Sequence, residues 1–595
     1  MRRPIVSVAV ALTSAVAAGV GSLPSCCGAT ADDQAIVRQI DSALSEAWAD
    51  ARVQPARPAP DGAWARRVYL DVVGRVPTLD ELTAFAQQPK PKRREWLVDQ
   101  LLGEAYTAER ARWLATQWAN LLIGRTGGRS NDSLVVREPF EGFLRAAFAE
   151  NRPLDELMTQ LVTAVGSVRP EDEDHNPAAN YLADKMDDGG VQATAKTAQV
   201  FLGVSVQCTQ CHNHPFNEGR QNQFWELNAF FRQTRAERVR GEPGQRAKAR
   251  LVDRDFYGEG RGPMAAVSLA PGQPEAAETY YELRNGKLKV AYPVFIDGTS
   301  LAGVFKDRGH DHGDSGRLAL VNRREELAGL IAASPDFARA AVNREWGRYL
   351  GYGFTRPVDD MGAHNPPSHP ELLGTLADAF QDTGYDLSRL TRWILLSEAY
   401  GLDSRAPRSG EEHDPAAGAV PLFNRFYLRQ LTAEQIYESL ITATRADEML
   451  SDERREQARD RWLRQFTTAF GNDENGESTS FDGSIPQSLA MMNSELVRRA
   501  TELGWGGWEE GEASGSYSKQ PKRPSGFLSS VAADPTLTNA DRVERLYLAA
   551  LARKPDRNEL AVCNRLLAAR GGDAAEALRD VWWALLNSNE FILQH

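Results

Sequence analysis

Apolar residues recur at helical spacing along most of this chain, and several of the runs are opened by a proline or a capping pair. That periodicity constrains the fold more than any other feature, because a 3.6-residue pattern does not settle as a strand. Within Asp33–Ala51, Ile36, Ile40, Leu44 and Trp48 lie on one face. Thr78 with Glu81 forms a capping box ahead of a short helix. Helices follow over Lys92–Leu102, over Ala108–Leu122 with Trp113, Leu114 and Trp118, and over Leu134–Phe148. Pro153 opens another through Leu157 and Leu161. A further one, Val191–Val204, runs directly toward Cys208.

From Arg235 to Gly316 the character changes to Gly, Pro and charge. Arg284–Asn285–Gly286–Lys287, between Tyr280–Leu283 and Leu288–Ala291, is a hairpin signal, with Asn-Gly suited to a type I′ turn. Val294–Phe295–Ile296 reads as a short strand. Helical pattern resumes over Glu325–Ala332, then from Ser334–Pro335 through Trp346 and Leu350, from Pro370 through Phe380, and over Leu387–Glu398. Thr432 with Gln435 caps the next helix, and Asp452–Phe470 is long and charged. Gly504–Pro524 reads as a surface loop. Asn539–Ala552, Asn558–Ala569 and Ala574–Ser588 close the chain. A chain of 595 residues exceeds one core. The expectation is a mainly α fold with two helical domains, 32–234 and 317–595, joined by a connector at 235–316 that carries a small β hairpin. The 13 Trp residues are expected as core and helix-interface anchors.

Residues 1–31 read as a signal peptide: Arg2 and Arg3, an apolar stretch from Ile5 to Val20, and the small-x-small site Ala29–Thr30–Ala31. The expectation is an exported protein, periplasmic or at the cell surface, with lipid attachment at Cys26 as the alternative. No later stretch reaches the ~20 apolar residues of a membrane-spanning helix. A formal net charge of −12 argues against broad nucleic-acid binding. Beyond the leader three cysteines remain, Cys208, Cys211 and Cys563. One close pair is no disulfide framework, and Cys563, inside a helical run, reads as a buried small hydrophobe.

The sharpest chemical signal is Cys208–Thr209–Gln210–Cys211–His212–Asn213–His214. Cys-x-x-Cys-His is the attachment pattern of c-type haem. Two thiols three residues apart reach both vinyl groups of one porphyrin, and His212 then supplies the proximal nitrogen. Three alternatives stand beside this. Cys208, Cys211, His212 and His214 together have the donor types of a non-haem Zn or Fe site. The thiols also suit a local disulfide or redox dithiol, and they could be unliganded core residues. Met158, His175 and Met186 are the candidates for a sixth haem ligand, five-coordinate iron being the other option. Gly309–His310–Asp311–His312–Gly313–Asp314 is a second His/Asp cluster, read as a polar linker or a metal site.

The segment "FLGVSVQCTQCHNHPF", followed by "FWELNAFF", resembles the planctomycete cytochrome-C-like domain known as domain of unknown function 1549. "RRVYLDVVGRVPTLDEL" from Arg66 and "LVDQLLGEAYTAERARWLATQWANLL" from Leu97 are similar to the opening of that family. "FARAAVNREWGRYLGYGFTRPVDDMGAHNPPSHPELL" from Phe337, "IPQSLAMMNSELV" from Ile485 and "ALLNSNEFILQH" resemble its usual companion, domain of unknown function 1553. The resemblance spans most of the chain. It implies a haem-bearing exported protein with an electron-transfer or redox role and a redox partner. The alternatives are a non-haem metal protein acting on or binding extracellular polysaccharide, and a cell-surface interaction protein whose Cys/His site is structural. In the second domain Asn343, Arg344, Asp359, Asp360 and Asn365–Pro366–Pro367–Ser368–His369–Pro370 are polar clusters. One reading makes a pocket of Arg344, Asp359, Asp360 and His369. The other makes Ser368, Asp359 and Asp360 caps of backbone amides.

Overall fold

The computed structural model describes residues 31–129, 133–214, 219–240, 247–253, 279–301, 303–304, 322–405, 413–450, 452–470, 485–505, 524–571 and 573–595. Residues 1–30 of the expected signal peptide 1–31, the His310/His312 cluster and most of Gly504–Pro524 lie outside them. The described chain is mainly α with a few short antiparallel strands.

Local chemistry sets the helix starts. Thr78 and Glu81 close a reciprocal capping box on helix Leu79–Gln87, and Thr432 and Gln435 do the same for Ala433–Thr444. Ser334 caps Pro335–Leu350 from its side chain, with Pro335 at the first helical position. Pro153 stands one residue ahead of its helix, which runs Leu154–Thr163. Ser368 does not cap Pro370–Asp382: the N-cap residue is His369, and no side chain caps that end. The run toward Cys208 is α-helical only over Val191–Thr197, then widens into a π turn at Ala198–Leu202 and stops at Gly203, whose φ is +64°.

Strands β1 (Gly166–Ser167), β2 (Thr234–Val239) and β3 (Lys248–Asp253) form an antiparallel sheet in the order β1-β3-β2. The start of the connector is therefore stitched back onto the first domain. Asp253 at the end of β3 takes Arg324 at 2.8 Å. Arg324 also donates to the carbonyls of Val162 and Ala164, closing the C-terminus of helix Leu154–Thr163. Strands β4 (Thr279–Glu282) and β5 (Leu288–Ala291) make the expected hairpin, with Tyr280 opposite Val290. Its turn is not type I′. Only Gly286 takes positive φ, the Gly286 N–H reaches Leu283 O at 2.8 Å, and Leu283 N–H reaches Lys287 O. That is the three-residue loop ending in a left-handed glycine, and Asn285 is spared the strained conformation. Val294 makes only an isolated bridge with Ser300.

The connector does not divide the hydrophobic cores. One core runs from Ile40 to Tyr427, so helices Arg323–Ala333, Pro335–Leu350, Pro370–Asp382 and Leu387–Leu396 pack into the same interior as the first domain. The second core begins at Leu431 and reaches Phe591, with Leu70 and Val76 inserted from the first half. Strand β6 (Arg429–Gln430) pairs with β7 (Leu593–Gln594) where the two cores meet. Arg66 donates there to Phe591 O and Leu593 O, and Arg67 to Tyr400 O, Leu402 O and His595 O. Trp64, Trp346, Trp393, Trp462 and Trp582 are fully buried, and Cys563 sits in the second core. No helix among the described residues is long and apolar enough to cross a membrane.

Candidate functional site

After Gly203 the chain forms a 3₁₀ turn at Gln207–Thr209, and this turn presents the cysteines. Thr209 is buried and donates from Oγ1 to Val206 O at 2.7 Å. Cys208 and Cys211, on either side, are exposed and carry free thiols. Helix Gln221–Asn228 clamps the turn from below. Trp225 Nε1 donates to Gln210 O at 3.0 Å, Gln221 Nε2 to the same carbonyl at 3.2 Å, and Gln221 N–H to Asn213 Oδ1 at 3.0 Å. The hairpin holds that helix in turn: Trp225 stacks on Tyr281 at 6.1 Å, and Gln221 Nε2 also reaches Glu282 O at 2.9 Å.

His212 is exposed, and its Nδ1 meets the Asn213 carbonyl at 2.7 Å. A carbonyl can only accept, so Nδ1 carries the proton and Nε2 keeps its lone pair. That is the tautomer an axial or metal-binding imidazole needs. His214 is half-buried and lies against His364 of the second domain, ring centres 6.0 Å apart. Among the described residues no three His, Cys, Asp or Glu side chains are grouped to hold a metal ion. The set Cys208, Cys211, His212 and His214 is thus not gathered, because His212 faces outward and His214 turns to the seam between domains.

The candidate sixth ligands are placed by packing. Met158 is fully buried in the first core, and Met186 is also buried there. His175 is tied by Nδ1 to Ser167 O at 3.3 Å. The polar clusters of the second domain separate by role. Asn343 is structural: buried, it accepts from Phe354 N and donates to Thr355 Oγ1 and Val358 O. His369 packs on Phe354 and Phe423, and burial pushes it down to about 4, so it is neutral near pH 7. Ser368 Oγ bonds its ring nitrogen at 2.9 Å.

Arg344, Asp359 and Asp360 instead line the seam beside the Cys turn. Arg344 donates to the carbonyls of Gln199 and Val200, which the π turn leaves available. Burial lowers its pKa, opposed by Asp359 and Glu345. Asp359 accepts from the Gln199 side chain at 2.5 Å. Asp360 Oδ2 meets His364 Nε2 at 3.1 Å, and Met361 N–H donates to Gly203 O at 2.7 Å. Neither carboxylate therefore caps a backbone amide, and His369 stands apart from them. Sequence reasoning missed Gln199, Gln221, Trp225 and His364. The Asp360-x-x-x-His364 spacing ahead of Asn365–Pro366 was the available signal.

Residues 39–236 match the family PSCyt2, protein of unknown function (DUF1549), and residues 323–461 match PSD1, protein of unknown function (DUF1553). No curated protein and no solved structure matches the chain.

Proposed function

From the premise that the chain belongs to the DUF1549 and DUF1553 families, the first under a cytochrome-like name, we propose that it is an exported protein carrying covalent haem at Cys208 and Cys211, with His212 as axial ligand and a role in electron transfer. One observation carries this reading. Two free, exposed thiols flank a single turn, and the next residue offers an imidazole whose other nitrogen is already held by a carbonyl. These donors fit the group: thiols for the two vinyl positions, a neutral imidazole for iron. When bound, haem supplies one-electron redox chemistry. The chain's own part is positional. Thr209, Gln221 and Trp225 fix the turn, and the Asn213 carbonyl orients His212. Exposure of both thiols puts the group at the surface, where an electron partner can approach.

The test is expression with a cytochrome c maturation system. The expected result is a c-type pyridine haemochrome and a haem stain that survives a denaturing gel. Cys208→Ser with Cys211→Ser removes the stain; His212→Ala keeps attachment but alters the iron spectrum. Colourless wild-type protein from a host that matures other c-type cytochromes overturns the reading.

A further inference from the structure

We propose a second, separate site: His214 and His364 form a two-imidazole seat for a borderline divalent transition metal ion, of the Zn²⁺ or Ni²⁺ class, bridging the two family domains. The geometry of the pair leads to it. A metal bonded to an imidazole nitrogen at about 2.0–2.1 Å lies about 3.2 Å from the ring centre, so two rings sharing one ion have centres at most about 6.4 Å apart. The observed 6.0 Å is inside that reach. Closing by under about 1 Å gives the ~5.2 Å expected for tetrahedral coordination. The rings are tilted by 36°, which is not a parallel stack.

His364 has the environment of a metal-binding histidine. Asp360 Oδ2 engages Nε2 at 3.1 Å, which places a ring proton there and makes Nδ1 the nitrogen that a metal ion would take. Gly362 keeps the space beside that nitrogen open: a Cβ at 362 would stand 2.8 Å from Nδ1 and 2.9 Å from Cε1. The loop is pinned in this shape. Asn365 N–H donates to Gly362 O at 3.0 Å, and Asn365 Nδ2 to Asp360 O and Arg356 O. His214 is held from its backbone, its N–H donating to Gly219 O at 2.7 Å. The His364 ring is thus preorganised by Asp360 and the His214 backbone by Gly219, and the bond from Met361 to Gly203 registers one domain against the other.

Two protein ligands leave the remaining positions to water or a small anion, so the ion acts as a reversible clamp on the seam. The site shares no ligand with the proposed haem, which uses His212.

The experiment is calorimetric titration of metal-stripped full-length protein with Zn²⁺, and separately Ni²⁺, beside melting curves with and without metal. Wild type is expected to bind one equivalent at the seam and to melt higher with metal. His214→Ala and His364→Ala each abolish that binding and that rise. Asp360→Asn weakens binding about tenfold or more by releasing the ring. Gly362→Ala weakens it by filling the cradle, and His364→Gln covers the case in which the alanine variant folds poorly. Cys208→Ser with Cys211→Ser leaves binding intact, and His364→Ala leaves the haem stain intact, which separates this site from the proposed haem. The proposal fails if wild type binds no Zn²⁺ or Ni²⁺. It also fails if binding survives both histidine variants, or if the cysteine double variant abolishes it.

Discussion

Asp71 is the residue whose loss the fold should tolerate least. It sits on helix Asp61–Val73, 4% exposed. Its Oδ1 takes Arg429 Nη2 at 2.5 Å and its Oδ2 takes the Tyr400 hydroxyl at 2.7 Å. Asp71→Ala removes both acceptors at once. The Arg429 side chain, only 8% exposed, keeps one neutral partner, Gln594 Oε1 at 2.8 Å. Stranding a buried cation costs about 3–5 kcal/mol, and an orphaned buried hydroxyl about 1–3 kcal/mol. The two overlap, since Tyr400 can still relax, so the expected loss is about 4 kcal/mol, a large part of the ~5–15 kcal/mol that holds a typical domain together. The location gives a second expectation. Tyr400 belongs to the first core, whereas Arg429 and Gln594 lie on the strand pair beside the second. Urea unfolding followed by Trp fluorescence and by far-UV circular dichroism should therefore show the two signals parting in Asp71→Ala. Adding Arg429→Met should recover at least about 2 kcal/mol relative to additivity, because the buried charge is gone. A loss below about 1 kcal/mol, or a strictly additive double variant, would refute the reasoning.

Three further outcomes are expected. Burial holds His369 at about 4 against an ordinary 6.5, so the unfolded chain binds the extra proton between those values. Stability is then full above about pH 6.5, falls by roughly 3 kcal/mol as pH drops to about 4, and levels off below; denaturation across that window checks it, and His369→Leu should remove that share of the slope. Gly203→Ala forces an alanine to φ +64° and sets a methyl 2.5 Å from Met361 Cε, for an expected loss of about 1–2 kcal/mol. Met361→Ala should relieve the contact but not the backbone strain, a difference the melting temperatures will show. Secreted protein should begin at or near Asp32 on N-terminal sequencing; an intact Met1 would count against export.

Elements with one wet face were legible in the sequence. The capping boxes at Thr78 and Thr432 and the cap at Ser334 sit where their spacing places them, because they are written in side chains within one turn of each other. Helix Asp61–Val73 was not legible, for a physical reason. Its residues from Trp64 to Val73 are all buried, Arg66, Arg67 and Asp71 among them, so its polar positions do not mark a solvent face. The three-stranded sheet was equally hidden, since β1 is two residues long and its partner β3 follows far along the chain. At the site, the Cys-x-x-Cys-His turn could be read because it is local. Its supports at Gln221, Trp225 and Tyr281 depend on the tertiary fold, as does the approach of His364 to His214; the Asp360-x-x-x-His364 spacing marks a local pair but not its partner across the seam.

The irregular stretch before the cysteines follows from the same tertiary contact. A regular helix through Ala198–Leu202 would bond its carbonyls internally and carry the chain straight on. The π turn instead leaves the Gln199 and Val200 carbonyls to Arg344, whose guanidinium is desolvated at the seam and needs acceptors there. Gly203 then reverses the backbone, and its carbonyl receives Met361 N–H. Between Gln199 and Gly203 the second domain supplies the matching groups: Arg344 for the two carbonyls, Asp359 for the Gln199 side chain and the Met361 N–H for Gly203 O. The segment that leads into the exposed Cys turn is thus fixed by residues of the second domain, while the turn itself is held by the first, which is a physical reason for the two domains to occur in one chain.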